Sequence, residues 1–231
     1  NLNKKGYYSS GKILTKKDIN ELKKLVQKKL KENNNKYFFL ADKKIKNTYV
    51  NNNKFISKFE NLFDELSKKL KLQNYNKQKI YKVLRVIAGN RNEKESHRYH
   101  FDAHLFTVLI PIIIPNKKNT NNGDLIIFPN IRNITKSLLL NIFQKILFQN
   151  SITKFFLKNN FFLKKKSHIL KLKPGNMYIF YGFKTLHGNQ SIDSTSIRAT
   201  LLLHFYDVFN DSKLVKINRK KRLRNEQKII N

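Results

Sequence analysis

The stretch ESHRYHFDAHLF, residues 95–106, gathers three of the chain's six histidines around one aspartate. An imidazole nitrogen beside a carboxylate oxygen suits a borderline divalent cation such as Fe(II). Successive side chains of a strand point to opposite faces, so a strand here sets His100 beside Asp102. Arg98 precedes them on that face and His104 follows, which makes His104 a rival ligand. A pair is not a site, and a third ligand has to arrive from elsewhere. His187, in PGNMYIFYGFKTLHGNQSID, follows a strand and lies near Gly182 and Gly188, where backbone can approach a bound group closely. Two histidines and one carboxylate on one face of a metal leave three positions open. Eleven residues on, SIRATLLLHF puts Arg198 at the start of a strand and Thr200 on its face. A guanidinium beside a hydroxyl fits one end of a dicarboxylate, through parallel charge-assisted bonds.

The elements that must position these residues are legible from periodicity. LTKKDINELKKLVQKKLKEN predicts a helix, with Thr15 as N-cap, Asp18 completing a capping-box variant, and Asn33 to Asn35 ending it. NKFISKFENLFDELSKKLKL predicts a second, with Phe55, Phe59, Phe63 and Leu66 on one face. From Gln78 the pattern alternates. KIYKVLRVIAG, FDAHLFTVLIPIII, DLIIFP, SHILKLKPG, NMYIFYGF and SIRATLLLHFYDV read as strands divided by Gly, Pro, Asn and Asp turns. Helices first and strands after, without alternation, imply a mainly β protein with flanking helices. The boundaries expected are one domain over 1–231: helical support at 1–77, a β core at 78–208 and a basic tail at 209–231. Residues 130–167 form an insertion in that core, helical in ITKSLLLNIFQKILFQ and ambiguous between helix and hairpin in SITKFFLKNNFFLKKK.

Composition narrows the function. The chain has 231 residues, 40% of them hydrophobic, enough for a proper core. Cysteine is absent, which excludes disulfides, thiolate catalysis and Cys-ligated zinc. The longest apolar run, LFTVLIPIIIP, is too short to cross a bilayer. No N-terminal stretch has a secretory signal pattern, so a cytoplasmic setting is expected. The formal charge of +33 comes mostly from Lys spread over every polar face, alongside abundant Asn and Ile. That pattern reads as compositional drift rather than one polyanion-binding stripe, and RKKRLRNEQK, residues 219–228, reads as a solvated terminus.

His100-Phe101-Asp102, then GDLIIFP, then KPGNMYIFYGFKTLHGN, then Arg198-Ala199-Thr200 resemble the Fe(II)- and 2-oxoglutarate-dependent dioxygenase superfamily, and within it the prolyl-hydroxylase-like and phytanoyl-type branches. The resemblance covers roughly Tyr81 to Tyr206. It implies a double-stranded β-helix, the jelly-roll of cupin-like proteins. It implies His100, Asp102 and His187 as iron ligands and catalytic residues, preferred over His104 by the family's order. It also implies Arg198 and Thr200 as the clamp on 2-oxoglutarate, with Thr107 in reach of it. A retained Asp102 favours hydroxylation over halogenation, with O2 and a small-molecule or carrier-bound substrate, anionic if the charge matters. Tyr81, Arg85 and Arg98 are further candidates for the pocket. His97, His168 and His204 read as surface or packing residues, though His204 shares the face of Arg198 and Thr200. The alternatives are a cupin-like metal protein without oxidative chemistry, which leaves a buried Arg198 unexplained, and a basic nucleic-acid-binding protein, which is not favoured.

Overall fold

The computed structural model describes residues 2–41, 45, 50, 52–88, 95–116, 121–159 and 166–217, without the side chains of 154, 158 and 159. The tail expected at 209–231 therefore lies outside the described residues beyond 217. One turn, α1 (Leu2–Lys5), leads into β1 (Tyr7–Lys12). Helix α2 (Lys16–Glu32) begins where the sequence places its cap. The Thr15 hydroxyl accepts the Asp18 N–H at 3.2 Å, and the Asp18 carboxylate accepts the Thr15 N–H at 2.9 Å. At the other end Asn34 and Asn35 take left-handed φ of 49° and 55°, a conformation Asn tolerates. Losing the cap in Thr15→Ala is expected to lower stability by about 0.5–2 kcal/mol in urea titration, with Thr15→Ser retaining most of it.

After β2 (Phe38–Ala41) comes α3 (Asn53–Lys69), then a short 3₁₀ turn at Tyr75–Lys77. The strands that follow are β3 (Tyr81–Ile87), β4 (His104–Ile113) and β5 (Leu125–Phe128). Two helices, α4 (Leu138–Phe148) and α5 (Ser151–Asn159), fill the expected insertion. The ambiguous half of that insertion is helical over 151–159; the residues 160–165 that follow lie outside the description. The chain ends its core with β6 (His168–Leu170), β7 (Asn176–Phe180), β8 (Leu186–Asn189) and β9 (Arg198–Asp207).

Two antiparallel sheets result. The larger has the order β1-β7-β4-β9-β3-β2 and the smaller the order β6-β5-β8. The region expected as helical support also supplies β1 and β2, which form the two edges of the large sheet. Both are short, and neither shows the sustained alternation that marks an interior strand. Strand β8, too, was not expected. Its sequence, LHGN, is too short and too polar to register as a strand, and it is held by pairing with β5.

Alternation along the large sheet decides what each face does. On β9, Ala199, Leu201, Leu203 and Phe205 join the main core, while Arg198, Thr200, Leu202 and His204 face a cavity between the sheets. β3 does the same: Leu84 and Val86 enter the core, whereas Tyr81, Val83 and Arg85 face the cavity. Helices α2 and α3 cover the core face with Ile19, Leu22, Val26, Phe55, Phe59 and Phe63. Phe63 lies nearly parallel to Phe205, with ring centroids 4.9 Å apart. The helices seal one face, and the other is left to function.

Candidate metal centre and anion pocket

His100 and Asp102 do not sit on a strand, contrary to the alternation argument. The chain turns at His97, whose φ is 51°, and the segment after it follows β8 of the small sheet. His100 and His187 exchange both backbone hydrogen bonds, at 2.9 and 3.0 Å, in an isolated bridge. The Asp102 N–H then donates to the Gly182 carbonyl at 3.0 Å, and β4 starts at His104 in the large sheet. The pair therefore lies where the chain crosses from one sheet to the other. His187, expected after a strand, does follow β7 but lies within a further short strand, β8.

The histidine rings are held in one orientation. Nδ1 of His100 is 3.0 Å from the Arg98 carbonyl, and Nδ1 of His187 is 3.0 Å from the Thr185 carbonyl. A carbonyl only accepts, so both Nδ1 atoms carry the proton and both Nε2 atoms offer a lone pair. Those Nε2 atoms lie 3.7 and 3.6 Å from the Asp102 carboxylate oxygens. Such distances are too long for hydrogen bonds. One ligand atom from each of the three residues falls within 4.8 Å of the others. Two oriented lone pairs and a carboxylate at this spacing fit one divalent cation with bonds of about 2.0–2.2 Å. Burial and the neighbouring His187 bring the His100 pKa down to about 3, leaving it a neutral donor. Burial acts to raise the Asp102 carboxyl, but His187, His204, His100 and the Thr107 hydroxyl outweigh it and hold it well below the usual range.

Asp102 is itself held. The Thr107 hydroxyl donates to Oδ2 at 2.5 Å. Its one proton is thereby used, so the contact at 3.0 Å with His204 Nδ1 has His204 donating. Thr107, expected within reach of the co-substrate, lines the cavity and has its hydroxyl on the Asp102 carboxylate. His204 lines the cavity as part of this chain of bonds, and His104 stacks on it at 5.3 Å between ring centroids. Gly182 makes the arrangement sterically feasible, because a Cβ there would come within 2.4 Å of Thr107 Oγ1 and 2.5 Å of Asp102 Oδ2. Thr107→Val is expected to weaken Fe(II) binding by roughly 10–100-fold while Thr107→Ser stays near wild type, read by anaerobic metal titration.

The anion end is equally defined. Arg198 is 2% exposed, and its Nε donates to the Gly123 carbonyl at 2.8 Å. Its second terminal nitrogen, NH2, is buried and has no hydrogen-bond partner among the described residues, and nor has the Thr200 hydroxyl two positions on. Burial and then Arg85 bring the Arg198 pKa down to about 9, so it stays charged at neutral pH. Arg85 is in a different situation. It forms an ion pair with Glu95, which is 3% exposed, and Arg98 NH1 also donates to Glu95, at 3.1 Å. Of the three arginines lining the cavity, Arg198 has no carboxylate at ion-pair distance among the described residues, Asp124 acting on it only from farther away. The cavity has a volume of about 520 Å³, within the range of small-molecule sites.

Glu95, Gly123 and Arg132 escaped the sequence reading. Glu95 opens the stretch ESHRYHFDAHLF, but no spacing rule ties it to Arg85. Gly123, the last residue of the polar stretch NKKNTNNG, has φ 72°, and a Cβ there would come within 2.7 Å of Arg198 Cδ; the turn signal was visible in the sequence but its purpose was not.

No protein-family model matches the sequence, and no curated protein does either. Solved structures do. A prolyl-4-hydroxylase from Pseudomonas putida superposes with a TM-score of 0.56 at 10% identity, over 89% of this chain and 94% of that one. A prolyl 4-hydroxylase from Phytophthora capsici gives 0.51 at 14% identity, over 92% of this chain and 62% of that one. The two-sheet jelly-roll described above is thus the double-stranded β-helix of the prolyl-4-hydroxylase-like oxygenases, and this chain has that fold.

Proposed function

We propose that the protein is an Fe(II)- and 2-oxoglutarate-dependent dioxygenase that hydroxylates an anionic small-molecule or carrier-bound substrate. One observation carries the reading. In a single cavity, two imidazole lone pairs converge on a carboxylate while one terminal nitrogen of a buried guanidinium and a buried hydroxyl have no hydrogen-bond partner among the described residues. The first group fits a divalent metal, and the second fits the far carboxylate of a dicarboxylate. Iron with 2-oxoglutarate would supply activation of O2 coupled to decarboxylation to succinate and CO2. His100, Asp102 and His187 would hold the metal, and the backbone bonds on both Nδ1 atoms would keep their lone pairs aimed without reorganisation. Arg198 and Thr200 would fix the dicarboxylate's far end, with Gly123 setting the guanidinium plane. A cupin-like protein without oxidative chemistry has no use for an unpaired buried guanidinium, which costs several kcal/mol.

The charge preference rests on Arg98 and Lys145, which line the cavity beside the ligands. Succinate release, measured with iron and 2-oxoglutarate across matched acidic and neutral candidates, is expected to rise with acidic ones. Equal stimulation by neutral compounds would remove the charge preference and leave the oxygenase reading in place.

A further inference from the structure

Helix α4 is amphipathic in the wrong direction for a helix packed only on its own protein. Its inward stripe runs through Leu138, Asn141, Gln144, Lys145 and Phe148, polar at its centre, while its six other apolar residues face out. The inward polarity has a clear cause. Buried Arg132 donates through NH1 to Asn141 at 2.9 Å and Gln144 at 3.3 Å, and through Nε to the Phe183 carbonyl at 2.5 Å. Its guanidinium lies over the rings of Phe101 and Phe183, at 4.1 and 3.9 Å. Phe148 meets Phe101 edge-on at 5.7 Å. The helix is thus firmly seated, and what it displays is not the result of loose docking.

What it displays is oily. Leu139, Phe143 and Ile146 of α4, with Ile152, Phe155 and Phe156 of α5, are between 52% and 80% exposed. An exposed apolar face of this kind on two adjoining helices marks an interaction surface. The stretch of sequence that carries both helices has charge of one sign. Between Asp124 and Asp193 the sequence carries Arg132 and ten lysines, and no Asp or Glu. Neither helix, at 11 and 9 residues, approaches bilayer-spanning length, and no helix of the described residues is long and apolar enough to cross a membrane. Large protruding apolar side chains in a basic setting suit a helix lying in the plane of a lipid interface.

We propose that the outer face of α4 and α5 docks on an anionic phospholipid surface. A second copy of the chain is disfavoured, because it would bring two carboxylate-free basic segments face to face. A nucleic acid is disfavoured, because the display is largely aliphatic rather than Arg interleaved with stacking rings. An acidic protein would satisfy the charge but needs a groove shaped to the protruding side chains; a lipid interface does not. α4 and its C-cap also contribute Lys145 and Gln149 to the lining of the cavity, so a docked surface would border that cavity.

The test uses the full chain with phosphatidylcholine vesicles, with and without phosphatidylserine, in a flotation assay. The comparison protein carries Leu139→Ser, Phe143→Ser, Ile146→Ser and Phe155→Ser, which alter exposed positions and keep every charge. The expected result is binding to the phosphatidylserine vesicles, weakened at least about tenfold in the variant, with part of the wild-type binding surviving high salt. Equal binding by wild type and variant would overturn the proposal, reducing the effect to the attraction of a +33 chain for any anionic surface. Wild type that stays in solution as a dimer, dissociated by the same substitutions, would overturn it in favour of a second copy. Wild type that stays in solution as a monomer would also overturn it, with an acidic protein the remaining occupant.

Discussion

Arg198→Met is expected to make the protein more resistant to heat while all but abolishing its affinity for 2-oxoglutarate. On the function proposed above, the two effects have opposite signs, because the guanidinium would be buried for a ligand rather than for the fold. At 2% exposure, with NH2 unpartnered and Arg85 nearby, its charge in the ligand-free protein costs several kcal/mol. Methionine fills similar volume without that cost, although the Gly123 carbonyl loses its donor, worth about 1–3 kcal/mol. The net gain expected is about 1–2 kcal/mol, or roughly 2–4 °C in Tm for each kcal/mol in a chain of this size. Truncating the charged partner of a desolvated carboxylate costs about 2–5 kcal/mol, which is roughly 30-fold to several thousandfold in affinity. Calorimetric titration of 2-oxoglutarate into iron-loaded protein, beside a thermal melt, reads both. A merely structural arginine would give the reverse: a destabilised protein with unchanged affinity.

Asp102→Ala is expected to lose Fe(II) binding altogether in the micromolar range, with the fold intact. Asp102 is the one carboxylate of the cluster, and its removal takes a first ligand rather than a supporting contact, so the loss should exceed the roughly 10–100-fold expected for Thr107→Val. His187→Ala is expected to do the same. His104→Ala separates this account from its rival, because His104 stacks on Tyr81 and His204 and lies outside the cluster. Its removal should leave Fe(II) affinity unchanged. Loss of metal in His104→Ala with retention in His187→Ala would assign the site to the other carboxylate–histidine pair.

Side-chain alternation alone sufficed for some of this. The face of β9 that carries Arg198, Thr200 and His204 follows from a period of two that holds from Arg198 to His204. The capping box at Thr15 was equally local, since all its partners lie within four residues. The same rule applied to His100 and Asp102 gave the right neighbours for the wrong reason. They lie beside each other because two backbone bridges to β8 and the Gly182 carbonyl hold an irregular crossing, and those partners are eighty or more residues away in sequence. Edge strands β1 and β2 were hidden for a related reason: short segments such as YYSSGK owe their conformation to the strand beside them rather than to their own propensity. The polar inward stripe of α4 was missed because periodicity reports an apolar face without saying which side the protein is on. Arg132, thirty-one residues after Phe101, decides that orientation through contacts no local pattern contains.

The measurement that bears most directly on the account is an anaerobic titration of Fe(II) and then 2-oxoglutarate into the protein, followed in the visible range. The result expected is a charge-transfer band from the keto acid chelated at iron, saturating at one metal per chain. It should be absent in His187→Ala and require far more 2-oxoglutarate in Arg198→Met. Metal binding without the band would contradict the oxygenase reading and favour a cupin-like metal protein; no metal binding would contradict the centre itself.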